Sequence, residues 1–368
     1  MRALVPTLLL LAVGCGAPAA DEALPLGPDA ASCGGCHEEH TDQWATSPHA
    51  RSVASPVFRA MLPDVEAAWG ARARRQCEGC HAPEHSPDEG IGCLSCHAAV
   101  GNHAERDGML AVDPGRPLAG PLDDPEPTVA HRSRDGGFLA SPSLCGTCHE
   151  LTGPRLVDEP TLTEYRASPQ AAEGLTCADC HLPDDGTRPL SNDATRPRPA
   201  RSHRFVGFDP PWGAPSDEAS AAAERTRALL ASALDLRVEP VDGGVEVTVS
   251  NVGAGHAVPT GATFLRDLWV DVEVDGALAV ERVLELGDQP MRGGEPVALL
   301  TDADRVEKGS LAAGESRRVF VPVAAGAPVT ARLRGRAIRD SVLEALALAD
   351  RRAEVPTHEI ASASTGGG

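Results

Sequence analysis

Ten of the eleven cysteines fall into five copies of one pattern: CGGCH (Cys33, Cys36, His37), CEGCH (Cys77, Cys80, His81), CLSCH (Cys93, Cys96, His97), CGTCH (Cys145, Cys148, His149) and CADCH (Cys177, Cys180, His181). C-x-x-C-H is the attachment signature of a c-type haem. The two thiols add to the two vinyl groups of the porphyrin, and the next histidine reaches the iron as proximal ligand. Tetrahedral zinc sites also use C-x-x-C pairs, but they need no histidine after each, and five pairs taken two at a time leave one over. Structural disulfides would not fix the histidine either. The pattern predicts five covalently bound haem c groups, with His37, His81, His97, His149 and His181 as proximal ligands.

A cofactor load of this kind changes what the chain must do to fold. Aromatic residues make up only 3% of the 368 positions, and the first 215 residues are dense in Pro, Gly, Ala and charge. Such a segment has too few large apolar side chains for a conventional core, so the porphyrins are expected to supply the missing bulk and the segment to fail to fold without them. The length suits about two domains. The formal charge is −20, which disfavours nucleic acid and anionic lipid surfaces as partners and fits a basic redox partner or simple solubility.

Attachment of c-type haem requires thiols delivered outside the cytoplasm, and the first 20 residues, MRALVPTLLLLAVGCGAPAA, read as a signal peptide: Arg2, a short apolar run, then small residues. The eleventh cysteine, Cys15, follows that run. Cleavage before Cys15 would make a lipoprotein, although Ala12 stands where Leu is usual; cleavage after Ala19 or Ala20 would discard the cysteine. Either route predicts a periplasmic or outer-membrane-associated protein, attached to a membrane only through a lipid on Cys15.

Six-coordinate iron needs a second axial ligand. Met61, Met109 and Met291 are three for five haems, whereas eight histidines remain after the proximal ones: His40, His49, His85, His103, His131, His203, His256 and His358. Bis-histidine ligation is the economical reading. His49, His103 and His131 lie in short segments near haem motifs, and His203 lies in SHRFVGF, a stretch without periodicity that would order only against something. His40 shares a helical turn with His37, cannot reach the opposite face of the same haem, and is expected at the surface. His85, in CHAPEH, is the runner-up ligand. His358 belongs to a polar tail and is expected to be exposed.

The order of CGGCHEEHTDQWATSPHARSVASPVF, CEGCHAPEH with GIGCLSCH, LCGTCHE, EYRASPQAAEGLTCADCHLP, SHRFVG and GHAVPTG resembles the multihaem c-type cytochromes related to the tetrahaem electron carrier of nitrifying bacteria, over residues 33 to 275. That resemblance implies His49, His103, His131, His203 and His256 as the distal set. His85 stays open as an alternative, because some relatives also keep a histidine there.

Past the Pro-rich DPPWGAPSD, residues 217 to 234 read as a connector helix capped by Ser216 or Asp217, with Leu229, Leu230 and Leu234 on one face. Alternation then takes over in LDLRVEPV, VEVTVSNV, LRDLWVDVEVDG, ALAVERVLEL, SRRVFVPVA and VTARLRGRAI. The fold expected is mixed: a mostly irregular and α pentahaem domain of short helices (21–215), a connector helix (216–235), a small all-β sandwich (236–352) with a last helix near 340–352, and a disordered tail (353–368). In the loop NVGAGHAVPTG, Gly253, Gly255 and Gly261 would let backbone approach a flat ligand and Pro259 would stiffen the turn, so the sandwich is expected to supply His256 to a haem attached elsewhere.

These features predict an electron-transfer protein with five bis-histidine haems, working with other cytochromes or a membrane quinol-oxidising complex. The alternative is a multihaem oxidoreductase acting on a small nitrogen or sulfur compound at one five-coordinate haem. A haem-based sensor or adhesion module has no sequence feature of its own.

Overall fold

Each C-x-x-C-H sequence is one turn of helix. The motifs at 77–81, 93–97 and 177–181 lie within the helices Ala71–His81, Cys93–His97 and Cys177–His181. Cys33 and Cys145 lie in the helices Ala30–Gly34 and Pro142–Gly146, and bonds of 2.9 Å from the His37 and His149 N–H groups to the Cys33 and Cys145 carbonyls carry the turn onward. At 3.6 residues per turn, positions i, i+3 and i+4 share a face. Two sulfurs and an imidazole therefore project together from each motif.

The computed structural model describes residues 29–83, 89–102, 110–128, 130–153 and 155–365. The leader with Cys15, and His85, His103 and Met109, lie outside the described residues. Up to residue 215 the remaining elements are short: helices such as Glu38–Ala45, Pro56–Trp69, Thr161–Arg166 and Pro169–Ala172, and two-stranded ribbons such as Leu151–Thr152 with Asp158–Glu159. The buried apolar residues here are largely alanines (Ala30, Ala73, Ala82, Ala98, Ala99, Ala119 and Ala200), with Val57, Leu62, Val65, Leu94 and Trp212 as the larger members. By contrast the largest fully buried side chains, from Val245 to Leu343, all belong to the second half.

The connector helix runs Ser216–Ala233 and buries Thr226, Leu230 and Ala233, with Leu229 half-buried. Its cap is Pro215, not Ser216 or Asp217; proline's fixed φ suits the entry to a helix. The strands Leu234–Val241, Gly244–Asn251 and Ser316–Pro322 form one antiparallel sheet, and Ala277–Leu286, Asp267–Val274, Val329–Arg336 and Thr357–Ser364 form another. Asp275 and Gly276 both have positive φ (52° and 77°), the conformation that a two-residue hairpin turn requires. Val247, Val249, Val270, Val272, Leu333 and Leu286 meet in one cluster between the two sheets. A third, three-stranded sheet (Gln289–Arg292, Glu295–Pro296, Arg305–Glu307) adds to the sandwich expected from the sequence.

Two expectations for the C-terminus are corrected. The last helix is only Asp340–Ala345, followed by a 3₁₀ segment Ala349–Glu354, because Ala347 adopts a positive φ of 56° that breaks the helix. The supposed tail is the strand Thr357–Ser364, which pairs antiparallel with Val329–Arg336 and buries Ile360 at the core. His358 is accordingly buried, 8% exposed, with its ring centre 6.0 Å from that of Phe208.

The two halves share a second apolar cluster in which Val57 and Trp212 meet Leu299, Ile338, Val342 and Leu343. Buried Arg266 donates to the Phe208 and Ala337 carbonyls and to Asp209, and Thr226 donates to the Gly207 carbonyl at 2.9 Å.

If the haem groups supply the core of the first half, a chain produced without haem attachment should lose residues 29–215 to protease while a fragment spanning 234–364 survives; mass spectrometry of the digest reads the result. Survival of both halves would refute that division. Burial holds the His358 pKa below its ordinary value, with Arg227 adding to the effect. The unfolded chain therefore binds the extra proton first as pH falls below about 6.5. Stability is full above that pH and declines below it, so His358→Phe should flatten the acid side of the melting-temperature profile below roughly pH 6.5.

Candidate haem-binding site

Three pairs of histidine rings from distant parts of the chain face one another at one spacing. His37 and His131 have ring centres 6.3 Å apart with planes at 29°, His97 and His203 6.3 Å at 10°, and His181 and His256 6.2 Å at 18°. Once the ring radii are subtracted, that spacing is what two metal–nitrogen bonds of ~2 Å each would span. Each pair joins one histidine of a C-x-x-C-H motif to one lying outside any motif. Among the described residues no three His, Cys, Asp or Glu side chains converge on a common point for a metal. Two axial imidazoles with an equatorial ring fit this donor set; a four-ligand zinc site does not.

The orientation of the rings is fixed from behind. Nδ1 of His37, His81, His97 and His181 meets the backbone carbonyls of Leu190, Ser52, Ala119 and Val206, at 2.7, 3.2, 2.7 and 2.7 Å. His203 and His256 do the same with the carbonyls of Arg201 and Ala257, both at 2.9 Å, and His131 with that of Arg132 at 3.3 Å. A carbonyl can only accept, so Nδ1 carries the proton and Nε2 is left with its lone pair for a metal. His149 differs, since its Nδ1 meets Oε1 of Glu159 at 2.9 Å.

Burial acts in the same sense. It pushes the His203 pKa down to about 4 and that of His49 to about 3, and lowers those of His97, His181 and His256. These imidazoles are neutral at pH 7, the form that binds metal. For His149 burial also acts downward, but the Glu159 carboxylate outweighs it and raises the pKa.

His49 is half-buried, with its ring centre 4.3 Å from that of Phe205 and with His149 as the foremost of its charged neighbours. Among the described residues its buried Nδ1 has no hydrogen-bond partner. Among the described residues, the ring that meets His81 is Phe58, stacked at 3.9 Å and 10°. His103 and His85 lie outside the described residues. His40, expected at the surface, is half-buried, with its ring 4.7 Å from that of His203, and burial pushes its pKa to about 4. The turn that carries it is covered by the segment bearing His203. Met61 packs in the Val57–Trp212 cluster and Met291 is buried in the third sheet, so both serve apolar packing.

The motifs also lie close together. The Cys80 thiol is within hydrogen-bonding reach of Cys148, and Cys145 of Cys177, while Cys96 acts electrostatically on both Cys145 and Cys148. The fourth motif thus adjoins the second, third and fifth. His37 and His97 are likewise neighbours.

The family model for cytochrome c554 and c-prime matches residues 32–98, which hold the first three C-x-x-C-H motifs. Over that segment the chain is similar to the multihaem c-type cytochromes. That similarity, with the C-x-x-C-H motifs, supports covalently bound haem c. The chain's fold is similar to that of a crystal structure of a penta-heme cytochrome c552 from Thermochromatium tepidum, at 18% identity and a TM-score of 0.65, over 90% of this chain and 97% of that one. No curated protein matches. Among the described residues, no helix is long and apolar enough to cross a membrane.

The His256 loop is built by residues that the sequence reading passed over. Buried Asn251 donates to the carbonyls of His256 (2.8 Å) and Leu311 (3.0 Å) and accepts from the Ala254 N–H (3.1 Å). Across the interface, Glu164 accepts from the Ala257 N–H at 2.9 Å, Gln170 donates to the Gly253 carbonyl at 3.2 Å, and the Thr161 and Thr260 hydroxyls meet at 2.6 Å. The loop glycines make room for protein: a Cβ on Gly253 would lie 2.1 Å from the Ser232 carbonyl oxygen, and one on Gly255 3.1 Å from the Ser168 hydroxyl. Asn251→Ala would leave the half-buried His256 carbonyl without its donor, at a cost of about 1–3 kcal/mol, while the Leu311 carbonyl keeps the Val258 N–H at 2.9 Å. It should lower the melting temperature and also convert a fraction of one haem to high spin, read by optical and paramagnetic resonance spectra; a stability loss with unchanged haem spectra would show that Asn251 does not position His256.

Proposed function

We infer that this protein is an exported pentahaem electron carrier whose irons are held mainly between histidine pairs. The observation that carries this reading is the common spacing of His37–His131, His97–His203 and His181–His256. Cys33 and Cys36, Cys77 and Cys80, Cys93 and Cys96, Cys145 and Cys148, and Cys177 and Cys180 are the attachment points. His49 is the candidate partner for His149, and His103, with His85 as runner-up, for His81. Haem supplies one-electron chemistry when bound, with a potential set by its axial ligands and surroundings.

The chain's residues do the rest. Backbone carbonyls hold most of the ligating rings in one tautomer and Glu159 holds His149, burial keeps the rings of His97, His181, His203 and His256 neutral, and the clustering of the motifs keeps the centres within one compact half of the molecule. Closed coordination leaves no position for a substrate. Electrons would come from and pass to other extracytoplasmic redox proteins, and the leader with Cys15 supports a periplasmic or lipid-tethered location.

A second reading attaches to His81. Phe58 stacks on the face of its ring at 3.9 Å, beside the imidazole and not across a metal; the oxidoreductase reading requires that the iron at one such centre be five-coordinate.

Low-temperature paramagnetic resonance of the oxidised protein separates the two readings. Low-spin ferric haem alone supports the carrier, while a high-spin signal from one iron in five supports the second. In His256→Ala all five haems should remain attached, by pyridine haemochrome assay, and one should turn high-spin. An unchanged spectrum would return His256 to the status of a loop residue.

A further inference from the structure

We propose that Glu159 is a positioning and tuning residue that holds the iron at His149 at a lower potential than it would have with a neutral partner behind its ligand. The proposal rests on the pentahaem reading above and adds a rank order to it. Four motif histidines, His37, His81, His97 and His181, lean on backbone carbonyls; His149 alone among the five leans on a carboxylate. A carbonyl presents a partial charge to the Nδ1 proton, a carboxylate a full one. The stronger acceptor draws the proton away from the ring, makes Nε2 a better donor and so favours the ferric state. The negative charge itself acts in the same direction through space.

Glu159 is built to stay in place. Its side chain is 16% exposed, and Glu159 pairs with Leu151 in the ribbon that follows the fourth motif. On one side, Asp158 receives Lys308 Nζ at 3.0 Å, and the same nitrogen lies 3.3 Å from buried Asp288. On the other, Thr161 meets Thr260 at 2.6 Å. Asp288 is itself held by Thr263 and the Gly309 N–H. The carboxylate behind His149 is therefore fixed from the β half of the molecule.

Its position gives the effect a consequence. The fourth motif adjoins the second, third and fifth, so an electron crossing from the His37–His97 side to the His181 side meets this centre. Reduction adds one electron, supplied by a one-electron redox protein, to the iron; the Nδ1 proton stays between His149 and Glu159, and no proton is released. A centre lowered in this way is crossed as a step in energy, and filled last when electrons are scarce.

Glu159→Gln keeps a hydrogen-bond acceptor behind His149 and removes the charge. In a spectroelectrochemical titration monitored by paramagnetic resonance, one haem of five should become easier to reduce by at least tenfold in its equilibrium constant, about 59 mV for one electron, with the others nearly unmoved. Glu150→Gln, a charge removed beside His149 from a half-buried residue whose carboxylate binds Thr163 and not His149, should not reproduce the shift. Five low-spin haems with unchanged potentials, or equal shifts in both variants, would overturn the proposal and leave the carrier reading intact. Fewer than five haems in the unsubstituted protein would overturn the reading beneath it. Should Glu159→Gln fail to load all five, Glu159→Asp, which keeps the charge but shortens the reach to Nδ1 of His149, provides the test: a smaller upward shift of one haem supports the proposal and none overturns it.

Discussion

Opposed imidazoles spaced for two metal–nitrogen bonds join segments that are far apart in the chain, and in the proposed carrier the first half of the molecule depends on those junctions. His37 with His131, and His97 with His203, each close a loop whose entropic cost has little apolar burial to offset it. Alanines dominate the buried apolar positions there, and the ion pairs that tie the surface segments, such as Arg196 and Arg198 with Asp124, are exposed to solvent and screened. The helical turns of the C-x-x-C-H motifs present sulfur and nitrogen on one face, but a single turn is not stable alone. On the proposed reading, ligation, not packing, is the interaction that makes the rest possible.

The second half follows the opposite rule. Alternating valines and leucines from two antiparallel sheets meet in one core, and the hairpin turn at Asp275–Gly276 sets register locally. Its contribution to the site comes through Arg266, Thr226 and the loop around His256. Each of these reaches polar groups of the first half. The interface therefore combines the Val57–Trp212 apolar cluster with a set of directed hydrogen bonds that fix where His256 can point.

Much of this was legible in the sequence because it is written in local patterns. The C-x-x-C-H spacing is a one-turn signal, and the six strands that the two larger sheets contribute between Leu234 and Arg336 carry a period of two. The strand Thr357–Ser364 was not legible: of its inward positions only Ile360 is a large apolar residue, and His358 reads as polar until its burial beside Phe208 is seen. The distal histidines came from counting and from resemblance, whereas their pairing is a property of tertiary geometry. Asn251, Glu159 and Glu164 carry no motif, since a carboxylate or amide acts here only through the partner that folding brings to it. His40 was misplaced for the same reason: helical geometry excluded it from its own haem but could not say that the His203 segment would cover it.

The loop bearing His256 is attached to a unit that folds around its own apolar core, and it reaches His181 only by docking. That arrangement imposes an order in time. During synthesis the fifth motif emerges well before residue 256, and before the strands that shape the loop are complete. In the proposed carrier the iron attached there would wait for the last portion of the chain to fold, and its final coordination would serve as a checkpoint that this portion is in place.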